Sequence, residues 1–253
     1  MLFRRAILII HGFAGGTYDE EDLANYLELN RLYDVFQYTL PGHNRNLSKV
    51  NYQDWIEKSE NMVNYLLNHG YRNIYVIGHS MGGVIATYLA TKYKEIKKLV
   101  LCAPAFKYFS VNKSNISKSF KSAPEIIKTY GRDEILSRFL KLNTSALKEF
   151  SNLVLKYYDK PKEVKCPILL IQGLKDDIVP IESSKYVYEN VESSIKKIVY
   201  VKDLTHDVFN CGRNYELFKI IDRFLKIPES GEYNIWVKIF AWQRKRQEKL
   251  YLN

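Results

Sequence analysis

The chain has 253 residues, a formal net charge of +10, and hydrophobic and charged fractions of 46% and 26%. That length buries a substantial core, as one large domain or one domain with an insertion. No apolar run approaches the roughly 20 residues of a membrane-spanning helix, so none is expected. The charge excess is local: from Phe106 to Lys165 there are thirteen Lys or Arg against six Asp or Glu. That segment carries no nucleic-acid-binding motif, so no nucleic-acid partner is expected. Cys102, Cys166 and Cys211 are far apart with no CxxC spacing, which argues for reduced core thiols and against a disulfide frame or a metal site. The opening "MLFRRAILIIHGF" has an apolar stretch too short for an export signal and reads as a buried strand, so a cytoplasmic location is expected.

Along the chain, β-branched apolar runs alternate with segments of helical period. "FRRAILII" predicts a strand, and "YDEEDLANYLEL" a helix whose start is rich in acid. "YDVFQYTL" predicts a second strand, closed by the turn signal "PGHN". "NYQDWIEKSENMVNYLLNHG" is an amphipathic helix that stops at Gly70. "NIYVIG", "IKKLVLCAPA", "CPILLIQG" and "IKKIVYV" complete six strands; "SMGGVIATYLATKY", "IESSKYVYENV" and "NYELFKIIDRFLK" supply the later helices. Strands that are apolar almost throughout and alternate with helices imply a parallel sheet covered on both faces, an α/β doubly wound architecture. Residues 106–163 and the tail from 230 do not fit the alternation.

"VIGHSMGG", residues 76–83, places Ser80 between a strand and a helix with Gly78, Gly82 and Gly83 around it. A sharp strand-to-helix turn strains its central residue and admits only small neighbours. It lifts the serine hydroxyl above the C-terminal edge of the sheet, at a helix N-terminus that favours developing negative charge. The G-x-S-x-G spacing alone is a weak signal; its placement between strand and helix makes it strong.

With "HGFAGG", "PGH", "GHSMGG", "GLKDDIVP" and a late "TH" in that order, the sequence resembles the α/β-hydrolase superfamily. Within it, the chain is most similar to the small carboxylesterase and monoacylglycerol lipase-like branch. The resemblance implies a mostly parallel six-stranded sheet with a helical cap insertion. It assigns residues 1–105 and 164–229 to the core, 106–163 to the cap (lid), and says nothing of 230–253, a basic-aromatic tail read as helical. A serine hydroxyl needs a base to take its proton. Of five histidines, His11 and His43 lie in loops where the family's motifs shape turns. His69 ends a helix and His79 is read as pointing away from the nucleophile. His206 alone occupies the family's base position. The base needs an orienting carboxylate. Asp176 and Asp177 compete for that role, and the family motif selects Asp176. Asp203 and Asp207 are read as solvated loop acids. The fold implies an oxyanion hole from the Met81 backbone N–H, and the resemblance adds that of Phe13.

These residues predict a serine hydrolase that cleaves short- to medium-chain carboxylic esters through an acyl-enzyme, with no cofactor and no metal. Lysophospholipase or monoacylglycerol lipase, thioesterase and aminopeptidase activities use the same triad. A non-catalytic ligand-binding protein on the same scaffold is the alternative from another class. The expected partner is a small-molecule ester. Among its lysines the insertion carries Phe106, Tyr108, Phe109, Phe120, Tyr130, Phe139, Phe150, Tyr157 and Tyr158, read either as aromatics packed on the core or as the roof of an acyl pocket. The tail mixes Ile235, Trp236, Ile239, Phe240 and Trp242 with the basic run Arg244–Arg246. It is read as docking on its own domain or on the second subunit of a homodimer, with peripheral membrane contact as the sharper alternative.

Overall fold

Strands without a polar face pair where both sides can be covered. The computed structural model describes residues 5–43, 51–107, 144–209 and 214–227. Its strands are β1 (Arg5–Ile10), β2 (Tyr33–Gln37), β3 (Asn73–His79), β4 (Ile96–Cys102), β5 (Ile168–Gly173) and β6 (Lys196–Val201). They form one sheet in the order β2-β1-β3-β4-β5-β6, and every pairing is parallel. The six strands expected from the sequence are the six found.

Between and after them run α1 (Glu21–Glu28), α2 (Tyr52–Asn68), α3 (Met81–Lys92), α4 (Thr144–Tyr157), α5 (Ile181–Asn190) and α6 (Asn214–Lys226). Helix α3 is apolar almost all round. It packs on β1, β3 and β4 on one side and on α2 and α4 on the other, so it has little need of a polar face. Helix α1 packs with α6 and beside β2. From β1 the chain moves outward to β2, then returns across β1 to lay down β3 on its other side. The loops that leave β1 and β3 therefore diverge, which opens a crevice at the C-terminal ends of the strands.

Of the segment expected as a cap, residues 106–107 and 144–163 are described, and they hold α4 and a 3-10 turn at Lys160–Glu163. Of α4, Phe150, Leu153 and Val154 are buried, and the helix packs on α2 and α3. Residues 108–143, the tail 230–253 and Cys211 lie outside the described residues. Cys102 is buried and Cys166 half-buried, and both are free thiols. Among the described residues no helix is long and apolar enough to cross a membrane, and no cluster of His, Cys, Asp or Glu is arranged to hold a metal ion.

Two polar features inside this frame were hidden by the apolar pattern. Lys98 of β4 is 1% exposed. Its ammonium donates to the carbonyls of Leu225, at 2.5 Å, and of Ile227, and lies 4.7 Å from the centre of the Tyr75 ring. A cation there satisfies acceptors that the C-terminus of α6 leaves open. At the other end of the sheet, His11 and His43 tie two loops together. His11 donates from Nδ1 to the Gly12 carbonyl (2.7 Å) and accepts the Leu40 N–H on Nε2 (3.0 Å), while His43 donates to the Pro41 carbonyl. Their rings lie 5.0 Å apart. Burial holds His11 down to about 4 against the pull of its bond to Gly12. Burial and then the neighbouring His11 hold His43 down to about 3.

Two outcomes follow. Lys98→Met keeps the volume but removes the donors, and should lower stability by about 1–3 kcal/mol in urea denaturation at unchanged m-value; an unmoved midpoint would mean that α6 does not depend on this cap. The second concerns acid. A depressed pKa gives stability that is full above the unfolded value near 6.5 and is lost as pH falls toward the folded value. His43→Asn removes that dependence for one group, so its stability should fall less than the wild type's between pH 7.5 and 4.5, by about 2–3 kcal/mol. Glu20 and His79, whose pKa values are raised, slope the opposite way in both proteins and cancel in the difference. Parallel stability-pH curves would refute the reading.

Candidate active site

Only Ser80 separates the end of β3 at His79 from the start of α3 at Met81. It pays for that sharpness with φ 53° and ψ −116°, a conformation that costs a non-glycine residue about 1–3 kcal/mol. Backbone bonds hold it there: the Ser80 N–H donates to Cys102 (2.9 Å), and its carbonyl accepts from Gly83 (3.0 Å) and Ala105 (3.1 Å). The glycines are required by close approach. A Cβ on Gly82 would stand 2.2 Å from the Ile10 carbonyl oxygen, and one on Gly78 would stand 2.4 Å from the Gly82 oxygen. The first turn of α3 thus lies directly against the end of β1.

Three loops converge on the serine hydroxyl. His206, in the loop after β6, places Nε2 3.0 Å from Ser80 Oγ and Nδ1 2.9 Å from Asp176 Oδ2. With Asp176 as acceptor, the neutral imidazole carries its proton on Nδ1 and leaves Nε2 to accept from the hydroxyl. Asp176 follows β5. Its Oδ1 accepts the N–H groups of Ile178 (3.0 Å) and Val179 (2.8 Å), and Oδ2 also accepts from the Gln172 side-chain amide (3.1 Å). Gln172 is itself fixed by the Ser184 hydroxyl (2.7 Å) and by donation to the Val179 carbonyl (3.0 Å). Asp177 is exposed, and Asp203 pairs with Lys175 at 3.0 Å on the surface.

Met81 opens α3, where the N–H groups of the first turn have no intrahelical acceptor. Phe13 lies in the tight loop after β1, closed by the Gly15 N–H to the Gly12 carbonyl (3.2 Å). A Cβ on Gly12 would lie 3.2 Å from the Ser80 Cβ, so this loop runs beside the elbow. The Phe13 ring stacks on Phe150 of α4 at 5.0 Å and meets His43 and Trp55 edge-on.

Two members of the cluster were not anticipated. The acidic run "YDEE" does not simply open α1. Thr17–Glu20 form a separate 3-10 turn in which Asp19 and Glu20 are buried. Asp19 accepts the Gly16 N–H (3.2 Å), while Glu20 Oε1 lies 3.1 Å from His79 Nδ1. The other nitrogen of His79, Nε2, lies 3.1 Å from the backbone carbonyl of His206. Burial raises Glu20 to about 7, against the opposing bond to His79. His79 feels burial first, as a lowering influence, but the bond to Glu20, the Glu20 charge, the His206 carbonyl and the Asp19 charge together outweigh it and its pKa is raised. The local sequence carries no sign of a pair that spans 59 residues, although a histidine closing an apolar strand implies a buried polar partner.

The chain matches two family profiles, one described as the alpha/beta hydrolase fold over residues 5–129 and one as serine aminopeptidase, S33, over residues 107–210. It is 26% identical over 214 residues to a carboxylesterase of Bacillus subtilis (strain 168), covering 80% of this chain and 84% of that protein. It is 24% identical to a thermostable monoacylglycerol lipase of Bacillus sp. (strain H-257), covering 87% and 88%. The crystal structure of the Paleococcus ferrophilus monoacylglycerol lipase superposes with a TM-score of 0.68 at 17% identity, covering 87% of this chain and 93% of that one. The all-parallel sheet, the elbow after its third strand and these matches lead to one conclusion: the chain belongs to the α/β-hydrolase superfamily, as an esterase- and lipase-type member.

Proposed function

We propose that the protein is a serine hydrolase that cleaves carboxylic esters of short- to medium-chain acids through an acyl-enzyme, with Ser80 as nucleophile, His206 as base and Asp176 as its orienting acid. The observation that carries this reading is the unbroken chain of hydrogen bonds from Ser80 Oγ through both nitrogens of His206 to Asp176. His206 Nε2 takes the hydroxyl proton as Oγ attacks the ester carbonyl. The oxyanion that forms accepts from the backbone N–H groups of Met81 and Phe13, each worth about 2.7–4 kcal/mol to the transition state. Collapse expels the alcohol, which receives its proton from His206, and water then releases the acid by the same steps. Asp176 stabilises the imidazolium in both halves without taking its proton. The Gln172 amide and two backbone N–H groups hold the carboxylate, so its lone pairs keep a fixed direction.

The serine aminopeptidase profile and the monoacylglycerol lipase relative point to narrower alternatives in which the amine or alcohol part of the substrate governs selection. An acyl-length series separates them. For an acyl-selective esterase, kcat/KM should rise from acetyl to medium-chain nitrophenyl esters, driven by about 0.8 kcal/mol per buried methylene, and fall again for long chains. A flat profile would favour selection by the amine or alcohol part.

Variants test the triad itself. Folded Ser80→Ala or His206→Ala should lose on the order of a million-fold in turnover, and Ser80→Ala should no longer be labelled by a fluorophosphonate. Asp176→Asn should cost about four orders of magnitude, since its amide favours the wrong imidazole tautomer, and Asp177→Asn little. A tenth of wild-type activity in Ser80→Ala would sink the assignment.

A further inference from the structure

His79 is 4% exposed and Glu20 is fully buried, yet the proposed acyl-transfer steps use neither. Burying a histidine and a carboxylate together is costly unless each is well bonded. This pair is only partly bonded, because the second Glu20 oxygen, Oε2, has no hydrogen-bond partner among the described residues. Fold stability alone is therefore a poor account of it. Its placement offers another. Glu20 ends the turn that follows the Phe13 loop, His79 immediately precedes Ser80, and His79 Nε2 reaches the main-chain carbonyl of His206. One hydrogen-bonded pair therefore joins the three loops that bring the oxyanion-hole backbone, the serine and the base to one place.

We propose that Glu20 and His79 are positioning residues, which hold the His206 backbone at the distance from the elbow that the Ser80–His206 bond requires. The claim rests on the triad reading above. The chemistry lies in the tautomer of His79. Its Nε2 must carry hydrogen to donate to the His206 carbonyl, and a neutral imidazole is free to place that hydrogen on Nδ1 instead. Glu20 removes the choice as long as the pair keeps one shared proton, a state favoured by the two acceptors that face the ring, the carboxylate and the His206 carbonyl. If Glu20 holds the shared proton, it donates to Nδ1. If His79 holds it, Nδ1 donates to the carboxylate. In both arrangements Nε2 keeps its N–H, and the pair is neutral overall. Without Glu20, the bond that fixes the imidazole's rotation through Nδ1 is gone, and Nε2 is free to swing off the His206 carbonyl. The His206 ring centre lies 5.1 Å from that of His79, so a shift there passes straight to Nε2 of the base. A displacement of 1 Å at a reacting group costs about a hundredfold in rate.

The test is a cycle of Glu20→Leu, His79→Leu and the double variant, with Glu20→Gln as the conservative control, all in the full chain. The double variant replaces a partly bonded buried polar pair by apolar side chains, so its thermal midpoint should not fall. Its kcat should nevertheless drop at least tenfold with KM within twofold, and the rate of fluorophosphonate labelling should drop in parallel. Because the two residues act as a unit, the double variant should lose no more than the worse folded single variant. Glu20→Gln still donates to Nδ1 from its amide and should keep at least a third of wild-type kcat. Wild-type kcat and labelling in a folded double variant would overturn the proposal, as would equal losses in Glu20→Gln and the double variant. Ser80→Ala separates the two readings: if it is inactive while the double variant is fully active, only the positioning role fails, and if it retains turnover, the triad reading fails with it.

Discussion

The backbone of Ser80 is the constraint on which the rest of the site depends. A serine at φ 53° and ψ −116° relaxes unless its surroundings prevent it, and here they do so from several directions. Cys102 and Ala105, on and just after β4, bond its N–H and carbonyl, and the close approach of Gly82 to Ile10 fixes the start of α3 against β1. The strain is thus distributed over the three central strands. Placing the elbow at the centre of a fully parallel sheet, where the loops that leave β1 and β3 diverge, supplies both the rigid support and the open crevice.

The parts of this arrangement that were legible in the sequence are those whose cause is local. A buried strand in a parallel sheet must be apolar throughout, so "AILII", "NIYVIG" and "ILLIQG" announce themselves. An elbow needs small residues at fixed offsets from its serine, so "GHSMGG" does too. The motif's preference for Asp176 over Asp177 has a visible local reason. The chain turns so that the Ile178 and Val179 N–H groups point back at the Asp176 carboxylate, while Asp177 faces solvent.

What the sequence concealed are pairings whose two halves lie far apart in the chain. Lys98 sits among residues that read as strand, and its acceptors are more than a hundred positions away at the end of α6. Glu20 looks like one more acid at a helix start, where acids are common. Only tertiary packing reveals that it is buried while Glu21 and Asp22 beside it are exposed. Gln172 ends an apolar run and would pass for a strand-edge residue, yet it links Asp176 to Ser184. In each case residue type was informative about chemistry and silent about partner.

The site therefore contains two histidine–carboxylate pairs, and their surroundings set them apart. Asp176 receives three donors besides His206, so its geometry is over-determined. Glu20 has His79 and a second oxygen without a partner among the described residues, and burial pushes its pKa to about 7, where a proton is readily shared. A carboxylate bound on all sides suits the proposed task of Asp176, stabilising an imidazolium that appears and disappears during turnover. A carboxylate that shares its proton suits a static task, because the pair stays neutral and adds no net charge beside the proposed base. The contact between the pairs, from His79 Nε2 to the His206 carbonyl, involves main chain on the side of His206. It can therefore fix where His206 stands without competing for either ring nitrogen, both of which are already committed to Ser80 and Asp176.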